Sequence, residues 1–184
     1  YSVLLTTAGG LYRYDIHDIV QETGSYRDAP LLAFIRKGRD MTSITGEKMH
    51  VNHVLLGLEQ IKKRYDVSLV DHFRIVADVE ESRYHIYAEF KSEVSLELLR
   101  DEVLPELDAV LAEGNVEYGE KRRSRRLAPP CLHLMQPGWA EKEYQRTAAK
   151  GMRDTQYKWQ ILCSKSRPED FGAIAHTIEP VSYT

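Results

Sequence analysis

A carboxylate at Asp18, an aromatic ring at Tyr14 and a glycine pair at Gly9 and Gly10 stand within the segment TTAGGLYRYDIHD, residues 6–18. Together they read as a piece of a nucleotide site. Glycine bends the backbone without steric cost, and one carboxylate accepts from two donors at once. The segment lies near the start of a chain that opens at Tyr1, already in what reads as a β-strand. That position predicts the C-terminal part of a longer enzyme, with only part of the catalytic machinery in this chain.

Other candidate groups are weaker. His50 and His53 form an H-x-x-H step. A metal site needs a third and fourth ligand and a supporting shell. None is spaced nearby, so no metal site is expected. His72, His85 and His133 are scattered along the sequence and are expected to be structural. The basic run Lys121 to Arg126 has no interleaved aromatics, and the chain's net charge is −3. It reads as a solvated face or a patch for an anionic substrate, rather than a nucleic-acid surface. No G-x-x-x-x-G-K-[ST] loop, serine-hydrolase elbow or thiol-protease elbow occurs in the sequence.

The elements that must position these residues follow from periodicity. Strands are predicted at Val3–Thr7, Leu11–Thr23 and Leu31–Arg36, too few to close a core unaided. The polar stretch Arg36-Lys37-Gly38-Arg39-Asp40 reads as a boundary. A short strand, Met41 to Ile44, precedes a turn at Gly46-Glu47-Lys48. Val51, Val54, Leu55, Leu58 and Ile61 fall at helical spacing, with Lys62, Lys63 and Arg64 in the last turns. Strands follow at Val67–Val79 and Tyr84–Phe90. Ser95 is placed to cap a helix carrying Leu98, Leu99, Val103, Leu107 and Leu111, which Pro105 should kink or split and Gly114-Asn115 should end. A strand at Leu132–Met135 and a helix at Trp139–Ala149 complete the order β-α-β-β-α-β-α. The tail after Lys158 carries no clear signal. The fold class is α+β: residues 1–36 as strands closing one domain, 37–184 as a small second domain.

At 184 residues with 42% hydrophobic composition the chain can build an ordinary core. No apolar run approaches the ~18 residues of a membrane span, so no membrane partner is expected. Cys131 and Cys163 make no disulfide framework and suit a reducing cytoplasm.

Two separated segments, TTAGGLYRYDIHDIV and LMQPGWAEKEYQRTAAKGMRDTQYK (134–158), resemble the Gretchen Hagen family of acyl-acid-amido synthetases. The family's plant members share a late pattern with Pro137-Gly138-Trp139, Lys150-Gly151 and Gln156-Tyr157-Lys158 in order and spacing. It belongs to the adenylate-forming superfamily, whose large N-terminal domain is covered by a small, swinging C-terminal domain. The resemblance implies that residues 1–36 end the large domain and that 37–184 are the mobile lid. It implies Mg-bound ATP, a carboxylic acid and an amino acid as substrates, with no metal held by this fragment. An acyl-adenylate forms first, and the amine then attacks it to give an amide. The fragment alone is expected to be inactive.

Residue by residue, Asp18 then takes the ribose hydroxyls, Tyr14 packs beside the nucleoside, and Arg36 and Lys37 contact the nucleotide. Gly38, Arg39 and Asp40 form the hinge, since a residue beside glycine at an element end absorbs a large backbone change. Lys158 supplies a mobile ammonium to the charge that accumulates as carboxylate attacks the α-phosphate. The chain departs from the family pattern in three places: Asp15 replaces an Arg, His17 a Gly, and Trp159-Gln160-Ile161 stands where Pro and Arg continue in plants. The alternatives are an acyl-CoA or other acyl-thioester ligase of the same superfamily, and a non-catalytic binding module derived from the lid.

Overall fold

A computed structural model of the protein describes residues 1–37, 41–65, 70–149 and 159–180; of His17, Ile35, Arg36, Lys37 and Asp71 it describes the backbone alone. The chain divides into two compact units, Tyr1–Met41 and Thr42–Thr184.

The first unit is a three-stranded antiparallel sheet in the order β1-β2-β3. It is built from β1 (Ser2–Leu5), β2 (Tyr14–Tyr26) and β3 (Ala29–Lys37). Residues 6–13 form a closed loop: the Thr7 N–H donates to Leu11 O, the Gly10 N–H to Thr7 O, and the Arg13 N–H to Thr6 Oγ1. A two-residue turn at Arg27-Asp28 joins β2 to β3, with Tyr26 paired to Ala29. Among its described residues none is buried, and Leu4, Leu31, Leu32 and Phe34 are at least half exposed. Three strands with apolar residues on show make no core of their own, as the sequence indicated.

The second unit begins at the end of β4 (Met41–Thr42) and continues through β5 (Met49–His50) into α1 (Val51–Tyr65). Then come β6 (Val70–Asp78) and β7 (Arg83–Phe90), a hairpin in antiparallel register. Ser95 caps α2 (Leu96–Leu98) by accepting the Leu98 N–H. A π-turn over Leu99–Val103 follows, and α3 (Leu104–Gly114) starts with Pro105 in its first turn. Proline lacks the N–H that an unbroken α-helix would use there, and the π-turn absorbs that irregularity. Asn115 both ends α3 and caps α4 (Val116–Arg123), accepting from the Tyr118 N–H. Gly119 is required by close approach: a Cβ there would lie 2.9 Å from Ala112 O of α3. After α4 come β8 (Cys131–Met135), α5 (Trp139–Ala149), β9 (Leu162–Cys163), α6 (Pro168–Phe171) and β10 (Ile174–Ile178).

The sheet order is β10-β8-β7-β6-β9. β7 and β8 run parallel, as do β6 and β9; the other neighbours are antiparallel. Ile75, Ala77, Tyr84, Ile86, Ala88, Leu132 and Leu162 face one way and form the main core with Val54 and Ile61 of α1 and Leu104, Leu107 and Leu111 of α3. Val76, Tyr87, Met135 and Cys163 face the other way, under Trp139 of α5. The tail without sequence signal therefore supplies both edge strands. At the turn before β5, the buried Glu47 accepts from the Ile44 and Thr45 N–H groups and the Tyr84 hydroxyl. Burial alone would raise its pKa, but those hydrogen bonds more than offset this and leave it below the ordinary carboxylate value. The basic run is partly structural. Arg122 turns inward onto Asp108 at 2.8 Å and donates to Leu127 O, and Arg123 pairs with Glu120.

Candidate active site

In the first unit, the β2–β3 register places Asp18 opposite Lys37 and Ile19 opposite Arg36. Side chains alternate along a strand, so Tyr14 and Asp18 share one face of β2 while Asp15 lies on the other. Lys37 is thus the β3 residue in register with Asp18, while Arg36 stands opposite Ile19, on the strand positions that alternate with it. Tyr14 is 55% exposed and Asp18 is half-buried. The acidic replacement Asp15 projects away from them. Gly38, Arg39, Asp40 and Lys158 lie outside the described residues.

In the second unit, the chain enters the region of Lys158 from α5 and leaves it at Trp159. Both flanks are fixed to the same point, Arg74 of β6, whose side chain is fully buried. Its guanidinium pairs with Asp170 at 2.9 Å and with Glu143 of α5, and its Nε–H donates to Gln160 O at 3.2 Å. Trp139 and Trp159 contact it from two sides, with ring centroids 5.2 and 4.4 Å from the guanidinium carbon. The two indoles meet edge to face, centroids 4.9 Å apart. Their N–H groups are used as well: Trp139 Nε1 donates to Asp170 Oδ1 and Trp159 Nε1 to Phe73 O. Arg167 adds a second cation, donating to Glu143 and to Gln160 Oε1 at 2.6 Å each. Burial works against the charge on Arg74, but the hydrogen bond to Glu143 and the charges of Asp170 and Glu143 more than offset it and raise its pKa. The arrangement ties α5 and the Trp159-Gln160 segment to β6.

The start of α5 is fixed separately. Glu89, 7% exposed on β7, accepts from the backbone N–H groups of Gly138 and Ala140. Gly138 sits at φ +81°, a conformation glycine adopts without strain. A carboxylate at a helix N-terminus satisfies otherwise orphaned donors and complements the dipole. Replacing Glu89 by alanine is expected to cost about 2–3 kcal/mol, because one buried and one partly buried N–H group lose their acceptor. Chemical denaturation measures it as a lower midpoint at unchanged slope.

Farther along the same face, His85, Cys131 and His133 come together. His85 Nδ1 is 2.9 Å from His133 Nε2, and His133 Nδ1 is 3.0 Å from Thr177 Oγ1. Burial and the neighbouring His85 push His133 down to about 4, so its ring is neutral at pH 7. Burial and Glu179 push the Cys131 thiol up to about 12. Neither cysteine is in a disulfide. The sequence treated these histidines as scattered. The signals that mark them are a charged or polar residue at alternate positions of an otherwise apolar strand: Arg74, His85, Glu89, and the Cys131-x-His133 step. The His50/His53 step serves local structure instead, where the His50 N–H donates to His53 Nδ1.

The fold of these elements is that of a solved GH3.15 acyl acid amido synthetase, with a TM-score of 0.77 at 22% identity, over 99% of this chain and 34% of that one. That likeness defines the class: a mixed α+β C-terminal region of the kind found in that synthetase. Residues 52–167 match the GH3 family C-terminal domain, and residues 1–37 match the GH3 family central domain. The chain belongs to the GH3, or Gretchen Hagen, family. The indole-3-acetic acid-amido synthetase GH3.15 of Arabidopsis thaliana is 27% identical over 86% of this chain and 28% of its own length. The jasmonoyl–L-amino acid synthetase JAR6 of Nicotiana attenuata is 30% identical over 55% of this chain and 18% of its own. The chain thus spans well under a third of the length of these relatives. Among the described residues, no helix is long and apolar enough to cross a membrane.

Proposed function

We propose that this chain is the C-terminal part of a cytoplasmic, AMP-forming acid–amine ligase. The carboxylate of an acid attacks the α-phosphate of Mg-bound ATP, forming an acyl-adenylate and releasing pyrophosphate. An amino acid's amine then attacks the acyl carbon, forming the amide and releasing AMP. Residues 1–36 are the closing strands of the large domain, and residues 37–184 are the lid that turns about Gly38–Asp40. The observation that carries this reading is that two GH3 domain matches follow one another in this chain. The names of the relatives support it, since they are amido synthetases.

The residue types present fit a nucleotide. Tyr14 and Asp18 share a face of β2, with Lys37 opposite Asp18 in register and Arg36, its neighbour on β3, opposite Ile19. Asp18 accepts the two ribose hydroxyls, Tyr14 packs beside the nucleoside, and the two cations favour its phosphates. Lys158 reaches the reacting α-phosphate from the lid, whose flanks Arg74 holds. The acid and the amino acid are bound largely by the large domain.

Acid-dependent exchange of pyrophosphate into ATP by the full-length protein tests the reading, and no exchange with any of a broad panel of acids overturns it. A product assay offering amino acids and coenzyme A decides the acceptor: an amide supports the proposal, and a thioester with no amide makes the protein a thioester ligase. Asp18→Ala is expected to raise the KM for ATP about tenfold or more with little change in kcat, from the loss of hydrogen bonds to a charged acceptor. Steady-state kinetics in ATP measure it.

A further inference from the structure

The parallel register of β7 and β8 sets His85 opposite Cys131 and Tyr87 opposite His133. Cys131 and His133, two apart on β8, point to the same face as His85. One donor atom from each of the three lies within 4.8 Å of the others. All three residues are buried, at 9%, 1% and 8% exposure. Glu179 Oε1 lies 3.6 Å from Cys131 Sγ, while Arg83 holds the other oxygen of that carboxylate at 2.8 Å. Thiolate, two imidazoles and a carboxylate are the donor set of tetrahedral zinc.

We propose that His85 Nδ1, His133 Nε2 and Cys131 Sγ hold a zinc-type divalent cation, with the Glu179 carboxylate, which lies against Cys131, moving in as the fourth ligand. A tetrahedral ion with bonds of about 2.0–2.3 Å sets its donors roughly 3.3–3.8 Å apart. The two imidazole nitrogens, now 2.9 Å apart, need only spread slightly. Binding breaks the Cys131 S–H bond, forms a metal–thiolate bond and releases the proton to solvent. A thiolate and a carboxylate then balance the dication, so no net charge is buried.

The outer contacts are those such a site needs. Ligating histidines hand their second ring nitrogen to an acceptor, which fixes the ring. His133 Nδ1 has Thr177 Oγ1 at 3.0 Å. His85 Nε2 is buried without a hydrogen bond of good geometry, yet has Glu81 at 3.5 Å and Asp78 at 3.9 Å. With Nδ1 on the ion, Nε2 must carry the hydrogen and faces two carboxylates. The site lies on β7 and β8 of the second unit and just past the end of β10, and it does not rest on the ligase reading.

Cobalt(II) is the probe, titrated into chelator-treated full-length protein and followed by absorbance. Tight uptake with a near-ultraviolet thiolate-to-cobalt band and the visible bands of tetrahedral cobalt is expected, and zinc should displace it. Cys131→Ser should remove the near-ultraviolet band, and His133→Gln should weaken cobalt binding about tenfold or more. Circular dichroism establishes that each variant is folded. Should either core substitution fail to fold, Glu179→Gln, at a more exposed position, is expected to keep the thiolate band and lose about tenfold in affinity; unchanged affinity overturns the four-ligand site. No thiolate band in the wild type, or a band that survives Cys131→Ser, leaves the cluster as a hydrogen-bonded relay from Thr177 to His85 and overturns the proposal.

Discussion

Arg74→Met is expected to destabilise the second unit by about 3–5 kcal/mol, the cost of removing one partner from a buried ion network. Methionine fills much of the space between Trp139 and Trp159 but leaves Asp170, 1% exposed, and Glu143, 6% exposed, without their shared cation. Arg167 still pairs with Glu143, so the uncompensated charge falls chiefly on Asp170. Denaturation followed by tryptophan fluorescence measures the loss, because the two tryptophans of this chain are the residues packed on Arg74. Adding Asp170→Asn to Arg74→Met should recover a large part of the loss, since the stranded charge is then gone. A single variant as stable as the wild type would refute the network's role, and so would a double variant no better than the single.

Lys158→Ala is expected to lower kcat for adenylation about 10²–10³-fold in the full-length protein, with little change in the KM for ATP. That is the size of effect seen when one preorganised donor is removed from developing negative charge. A group that acts only in the transition state lowers kcat and kcat/KM together. Pyrophosphate exchange at saturating acid measures the first half-reaction alone. Amide formation from a supplied acyl-adenylate should be affected less, because negative charge develops first on the acyl carbonyl oxygen. Unchanged exchange in Lys158→Ala would end the catalytic role proposed for this residue. Arg74 bears on the same step indirectly: it secures α5 before this region and Trp159 after it.

Much of the fold was legible because its signals are local. The Ser95 cap, the helical spacing from Val51 to Ile61 and the helix Trp139–Ala149 each depend on residues within a few turns of one another. β6 and β7 are strands rich in β-branched and aromatic residues with a polar turn between them, which fixes their pairing. The tail was illegible for the opposite reason. β9 has two residues, too few to show any period, and it exists only because Leu162 and Cys163 align beside Ile75 and Val76. β10 pairs with β8 across some forty residues of intervening chain.

The sequence by itself determined the α+β elements, the family motifs near both ends of the chain and the candidate nucleotide residues. A motif is a run of neighbours, and a run of neighbours is what a sequence displays. Only the tertiary structure decided that Asp18 stands opposite Lys37, that Arg74 gathers Glu143, Gln160 and Asp170, and that His85 meets Cys131 and His133. Each of those meetings depends on strand register, and a shift of one residue would turn every side chain to the other face. In the five-stranded sheet register is set by burial of the whole sheet, and between β2 and β3 by the turn and the irregularities along the hairpin, so no single local pattern records it.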